Sequence, residues 1–326
     1  MRAMVLHRIG GPLVAETRPD PVPGPGEVRI RVEACAVCRT DLHVIDGDLP
    51  DLRLPIVPGH EIVGRVEALG PGVAAPRPGA RVGVPWLGHT CGRCPHCAAG
   101  RENLCDRPGF TGYTRDGGFA THVLAEAAYT IPLPEEADPV ATAPLLCAGL
   151  IGWRTLRMAG EAATLGLYGF GAAAHIVAQI CRREGRAVHA FTRPGDRDGQ
   201  AFARRLGAVW AGDSDAPPPL PLDAALIFAP DGRLVPAALR AVRKGGTVVC
   251  GGIHMSDIPA FPYALLWGER RILSVANLTR ADARDFFAAA PRAGIVTHTR
   301  SFPLAEAEAA IAAHRAGLKG AAVLVP

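Results

Sequence analysis

The sequence predicts an α/β protein in two domains, one mostly β and one built on a doubly wound parallel sheet. Three observations carry this. The first third alternates apolar and polar residues, as in Arg2-Ala3-Met4-Val5-Leu6 and Glu27-Val28-Arg29-Ile30-Arg31-Val32, which is the period of half-buried strands. From Ala163 onward, short apolar strands alternate with helical segments, the pattern of parallel βαβ units. The length, 326 residues, exceeds one ordinary domain and suits two.

Taken in order, the first two strands are separated by a Pro/Gly-rich turn from Pro19 to Gly26. Ile62 to Leu69 and Ala80 to Val84 continue the β pattern, with Pro71-Gly72 and Pro78-Gly79 between them. Gly88 to Arg107 is a loop defined by cysteines, Gly118 to Val123 resumes strand, and Pro139 to Arg157 has helical spacing. In the second part, strands are expected at Leu165–Tyr168, Ala187–Phe191, Ala208–Trp210, Ala224–Phe228 and Gly246–Cys250. Helices are expected at Ala172–Arg183, Ala201–Leu206 and Leu234–Val242. The tail reads as a helix (Ala281–Ala290), a strand near Ile295–Thr299, a helix (Leu304–Arg315) and a strand (Ala321–Val325). It is too short for a domain and is expected to return to the first one. The boundaries are therefore 1–150 with a cysteine lobe at 88–107, 151–277, and 278–326.

Composition excludes several classes. Apolar residues are 48% and charged residues 20%, so disorder is not expected. The net charge of +4 is mild and no long basic run is present, so nucleic acid is not the expected partner. No apolar run reaches the roughly 18 residues of a membrane span, and the N-terminus has no long apolar core of an export signal. A cytoplasmic protein with a small-molecule partner is expected. There are nine cysteines, and four of them fall within residues 91–105. Without an export signal that crowding favours metal over disulfides.

The most specific motif is Cys91-x2-Cys94-x2-Cys97-x7-Cys105. Four thiolates so spaced can close a tetrahedron around zinc and leave no room for substrate, which makes the site structural. An iron–sulfur cluster, or plain buried thiols, remain alternatives on spacing alone. A second set is dispersed. Cys38 and His60 offer a thiolate and an imidazole, Glu61 adds a carboxylate, and Cys147 lies just before the second domain. Cys38, His60 and Cys147 make three ligands with one position open, as a catalytic zinc requires. His89, His96 and His122 sit in or near loops and are read as surface residues, or as residues behind a metal's ligands, and not as ligands.

Gly169-Phe170-Gly171-Ala172-Ala173-Ala174 follows a strand and opens a helix. This is a G-x-G-x-x-A form of the dinucleotide fingerprint, in which the third position needs only to be small. Where an acid would hold the ribose hydroxyls of NAD, the second strand ends Phe191-Thr192-Arg193. Thr192 and Arg193 could instead meet a 2′-phosphate, so NADP(H) is the expected cofactor and NAD(H) stays open.

These motifs occur together in an order and spacing that resembles the zinc-dependent alcohol dehydrogenases of the medium-chain dehydrogenase/reductase superfamily. The resemblance rests on Cys38-Arg39-Thr40-Asp41-Leu42-His43, Gly59-His60-Glu61, the four-cysteine lobe, Leu146-Cys147-Ala148-Gly149 and the glycine fingerprint. It implies a GroES-like catalytic domain, a Rossmann domain inserted in it, and two zinc ions per chain. It also implies roles for single residues. Cys38, His60 and Cys147 would hold catalytic zinc, with Glu61 as alternate ligand and Asp41 orienting His60. Thr40 would meet the substrate oxygen, and His43 would end a proton relay from Thr40. Arg39 would contact the cofactor pyrophosphate, and Trp86 would wall the substrate pocket. Ala174 and Lys319 depart from the family's glycine and arginine.

The expected activity is therefore hydride transfer between a primary alcohol or its aldehyde and NADP(H). Trp86 narrowing the pocket favours unbranched substrates. A polyol or secondary-alcohol dehydrogenase on the same scaffold is the nearest alternative, and a non-enzymatic zinc-lobe regulatory protein the distant one. The resemblance also implies a homo-oligomer, dimer or tetramer, and the compact chain favours the tetramer.

Overall fold

A computed structural model describes residues 1–326. Its contacts divide the chain into two units, Met1–Ala148 with Asn277–Arg284 and Val296–Pro326, and Gly149–Ala276 with Asp285–Ile295.

The first unit is organised by the long strand Glu27–Val37. Its alternation buries Val28, Ile30, Val32 and Ala34, and its last four residues are all buried. It is the centre of a sheet running Thr299–Pro303, Ala321–Val325, Glu27–Val37, Glu61–Leu69, Arg81–Val84, Ile131–Pro132, with His122–Glu126 also paired to it. The C-terminal return is visible in the register, where Ala322 faces Val37 and Leu324 faces Cys35. Val5, Ile30, Ile62, Phe119 and Leu324 belong to one core beneath this sheet.

The second unit is a six-stranded, all-parallel sheet in the order Trp210–Asp213, Ala187–Thr192, Thr164–Tyr168, Leu222–Ile227, Val242–Cys250, Arg271–Ser274. The order reverses beside Thr164–Tyr168, which is where doubly wound sheets bind ligands. The helix Ala172–Arg183 follows that strand and buries Ile176, Val177 and Ile180. Tyr168 and Phe191 stack with ring centroids 4.0 Å apart.

Several elements differ from expectation. The helical stretch Pro139–Arg157 is broken into Pro139–Thr142, the 3₁₀ turn Ala143–Leu146 and the helix Ala148–Met158. Cys147 sits in the break with φ −127° and ψ −67°, outside helical geometry. The strand expected from Gly118 starts only at His122. Before it, Gly117 and Gly118 run so close to neighbouring chain that a Cβ on Gly117 would lie 2.1 Å from the Gly59 carbonyl oxygen. The strand expected near Ile295 lies later, at Thr299–Pro303. The helix Arg280–Ala293 is shared between the units, so residues 285–295 group with the second unit rather than with the return. Phe286 packs there against Trp153, with centroids 6.2 Å apart. The edge strand Arg271–Ser274 and the helix Arg39–Asp46 carried no clear sequence signal.

Candidate active site and metal centres

The helix Arg39–Asp46 builds the first site. Cys38 is its N-cap. The Cys38 Sγ accepts from the Thr40 N–H at 3.3 Å, and the Asp41 Oδ2 accepts from the Cys38 N–H at 2.9 Å. This is a capping box with a thiol in the place of the usual hydroxyl. The cap fixes the Cys38 side chain and draws Asp41 inward. Asp41 Oδ1 then lies 3.1 Å from His60 Nδ1 and accepts the Gly59 N–H at 3.2 Å. His60 and Asp41 are both fully buried. With Nδ1 held by a carboxylate, Nε2 is the nitrogen left for a metal, a common arrangement for zinc-bound imidazole. It lies 3.1 Å from Cys38 Sγ, which is 4.0 Å from Cys147 Sγ. The donor atoms of Cys38, His60, Glu61 and Cys147 all lie within 4.8 Å of one another.

The electrostatics match that geometry. Burial pushes the Cys38 thiol and the Glu61 carboxyl well above their ordinary values. The Cys147 thiol is pulled down by its hydrogen bond to Cys38 but is raised overall by burial and the nearby carboxylates. Burial opposes a charge on His60, yet Cys38 and Asp41 outweigh it and raise the imidazole well above its usual range. Two thiols, an imidazole and a carboxyl around one point fit a divalent cation, whose charge lets the thiols ionise despite burial.

Around this point the remaining expected residues fall as follows. Trp86 is buried and meets the His60 ring edge-on, with centroids 4.9 Å apart. Its other contacts, Phe110 at 5.2 Å and Tyr113 at 5.6 Å, form a stacked aromatic wall that sequence reading did not anticipate. The turn carrying that wall is seated by Gly112, where φ is +75° and a Cβ would approach the Gly59 nitrogen to 2.7 Å. Thr40 is buried, His43 half-buried and Arg39 exposed.

The second centre is the lobe. The four Sγ atoms of Cys91, Cys94, Cys97 and Cys105 lie within 4.8 Å of one another. Cys94 caps the short helix Pro95–Ala98. The Cys105 Sγ accepts from the Cys91 and Arg107 N–H groups at 3.2 and 3.4 Å, and Cys94 Sγ from the Cys97 N–H at 3.5 Å. Hydrogen bonds from the Arg93 and Cys94 backbones bring the Cys91 thiol down to about 6, and those from Cys97 and Asp106 lower Cys94. Burial holds Cys97 up to about 11. Backbone donors aimed at sulfur favour thiolates, the form a closed four-cysteine zinc site takes.

In the second unit, Gly169 has φ +85°, and a Cβ there would lie 2.7 Å from Ala229 Cβ. Gly171 opens instead onto free space and starts the helix Ala172–Arg183 with no side-chain cap. Bare N–H groups at a helix start, beside a glycine with room in front of it, fit a pyrophosphate. Ala174 is fully buried beneath this turn. Thr192 ends the strand Ala187–Thr192. It is only 3% exposed, and its hydroxyl donates towards the carbonyls of Arg193 and Gly212 while accepting from Gln200 Nε2 at 3.3 Å. As the last residue of a central strand it faces inward. Arg193 is the exposed member of the pair.

The comparisons with known proteins agree with this chemistry. Residues 24–135 match the family model described as the alcohol dehydrogenase GroES-like domain. A probable alcohol dehydrogenase of Mycobacterium tuberculosis is 46% identical over 338 aligned positions, covering all of this chain and 97% of the relative. An alcohol dehydrogenase of Geobacillus stearothermophilus is 32% identical and covers 93% of each chain. Among solved structures, a protein from Sinorhizobium meliloti described as a zinc-binding dehydrogenase, bound to NADP, is 28% identical with a TM-score of 0.88, covering 100% of this chain and 99% of that one. Acetophenone reductase from Geotrichum candidum, in complex with NAD, is 25% identical with a TM-score of 0.88, covering 100% of this chain and 97% of that one.

Proposed function

The chain belongs to the zinc-dependent alcohol dehydrogenases of the medium-chain dehydrogenase/reductase superfamily, and from that membership we propose that it interconverts primary alcohols and aldehydes with NADP(H) as preferred cofactor. The observation that carries the reading is the convergence of Cys38, His60 and Cys147, with the Glu61 carboxylate within 4.8 Å of them. When bound, zinc supplies a Lewis acid for the substrate oxygen, and the nicotinamide supplies the hydride chemistry. Cys38, His60 and Cys147 would hold the catalytic zinc, and Cys91, Cys94, Cys97 and Cys105 the structural one.

The chain's own residues do the rest. Asp41 fixes the His60 ring so that Nε2 faces the thiols. Trp86, backed by Phe110 and Tyr113, gives the substrate a flat, dry wall beside His60. Thr40 and His43 lie three residues apart on one helix, hence on one face, and are assigned the substrate proton and its release. Arg39, Gly169, Phe170, Gly171, Ala172 and Ala173 are assigned to the cofactor. Arg193, rather than the Thr192 hydroxyl, is assigned the 2′-phosphate.

A secondary-alcohol or ketone activity is the second reading, favoured by the similarity to an acetophenone reductase. The reading extends to a cytoplasmic homo-oligomer, a tetramer in preference to a dimer, by family resemblance. No helix is long and apolar enough to cross a membrane.

Comparing NADPH with NADH across aldehydes, ketones and polyols tests the finer claims. NADPH should exceed NADH in kcat/KM by about tenfold or more, equivalent to ~1.4 kcal/mol, with unbranched aldehydes leading. A wide NADH advantage would remove the assignment of Arg193. Turnover of polyols alone would remove the primary-alcohol assignment.

A further inference from the structure

The helix Arg39–Asp46 ends in a turn with a chemical consequence. Gly47 adopts φ +79°, and its N–H caps the helix on the His43 carbonyl. The Asp48 N–H reaches the same carbonyl at 3.0 Å. A Cβ on Gly47 would lie 2.5 Å from Ile9 Cγ2, so glycine suits both the left-handed backbone and the tight packing. The reversal swings Asp48 back over the last helical turn. Its Oδ2 comes to 2.7 Å from His43 Nδ1. The His43 side chain is 13% exposed and that of Asp48 is 46% exposed, so the pair runs from the interior towards solvent. A second acid near His43, Asp46, is held by both nitrogens of the Arg315 fork, at 2.5 and 2.8 Å.

An ionised carboxylate only accepts hydrogen bonds. With Asp48 on Nδ1, that nitrogen must carry the proton, and Nε2 becomes the basic nitrogen of the neutral ring. We propose that Asp48 is a positioning residue that fixes the tautomer and orientation of His43 for proton release. This rests on the reading of His43 as the proton carrier. A proton arriving at Nε2 forms the imidazolium, and Asp48 stabilises its charge without taking the Nδ1 proton. Loss of the Nε2 proton to water restores the neutral ring, and nothing is oxidised or reduced. The logic is that of a carboxylate holding a catalytic histidine in one tautomer.

The test compares Asp48→Ala, Asp48→Asn, Asp48→Glu and His43→Gln in the full-length, zinc-loaded protein. Asp48→Ala should lower kcat about tenfold, part of the roughly 10²–10⁴ that a positioned proton carrier contributes, with KM and Tm unchanged. Asp48→Asn, closest in shape, guards against a folding artefact and should lower kcat in the same direction. Asp48→Glu should restore most of the loss. In ¹⁵N-histidine spectra, the His43 signals, assigned by their absence in His43→Gln, should show the Nδ1–H tautomer and lose that bias in Asp48→Ala. Asp48→Ala added to His43→Gln should cost nothing more. If His43→Gln lowers kcat while Asp48→Ala leaves kcat and tautomer unchanged, the role of Asp48 is refuted and His43 stands. If His43→Gln leaves kcat intact, the proton-carrier reading fails and the proposal falls with it.

Discussion

Cys147→Ala is expected to abolish turnover while leaving the chain folded. The substitution removes one of two thiols from a centre whose donor atoms lie within 4.8 Å. Loss of a metal ligand should cost more than the roughly 10²–10³-fold in kcat that follows removal of a single charge-stabilising donor. The fold should survive for an electrostatic reason. Burial pushes Cys38 and Glu61 well above their ordinary values, which disfavours bare negative charge in the centre when no cation is held there. Cys147 itself lies in a break between helical segments and is only partly buried. Its truncation should cost about 1 kcal/mol, the centre of the range for point substitutions. Circular dichroism, Tm and initial rates decide it. Near-normal rates would show that Cys147 is not a ligand, and a molten chain would show that it is structural.

Cys94→Ala should behave in the opposite way, costing stability much more than chemistry. A closed four-cysteine site contributes folding energy directly. The lobe is also wired into the rest of its unit. Glu102 forms a forked pair with Arg280, at 2.5 Å between Oε2 and Nη2, and accepts the Arg280 backbone N–H at 2.8 Å. Arg280 lies over the Tyr129 ring at 4.7 Å, and Tyr129 bonds Thr90 at the lobe's root, 2.5 Å away. Loosening the lobe therefore frees the segment Asn277–Arg284 as well. Tm should fall by roughly 5–10 °C, while kcat of the folded fraction stays within about threefold. Hydrogen exchange should rise first across residues 88–107. An unchanged Tm would argue against a bound metal in the lobe.

The features legible in the sequence were the local ones. The cysteine lobe and the glycine fingerprint each lie in one short stretch, so each can be found from spacing, and the lobe's choice of zinc over iron–sulfur comes from the company it keeps. The strand Glu27–Val37 announced itself through alternation. The helix Arg39–Asp46 did not, because its cap is Cys38 rather than Ser, Thr, Asp or Asn. Phe110 and Tyr113 carry no local signal, because contacts between Gly112, Gly117 and the distant Gly59 bring them to Trp86. Periodicity through Pro139–Arg157 suggested one helix, since the break at Cys147 serves side-chain placement and leaves no mark on the apolar pattern. Thr192 shows what the sequence leaves open, because a residue at a strand's end can face either way, and here its hydroxyl accepts from Gln200 Nε2.

Metal analysis of the purified chain tests the central claim most directly. Two zinc ions per chain are expected, falling to one in Cys147→Ala and to one in Cys94→Ala, with activity lost only in the former. A single zinc in the unaltered protein, or iron in place of zinc, would contradict the assignment of one catalytic and one structural zinc centre.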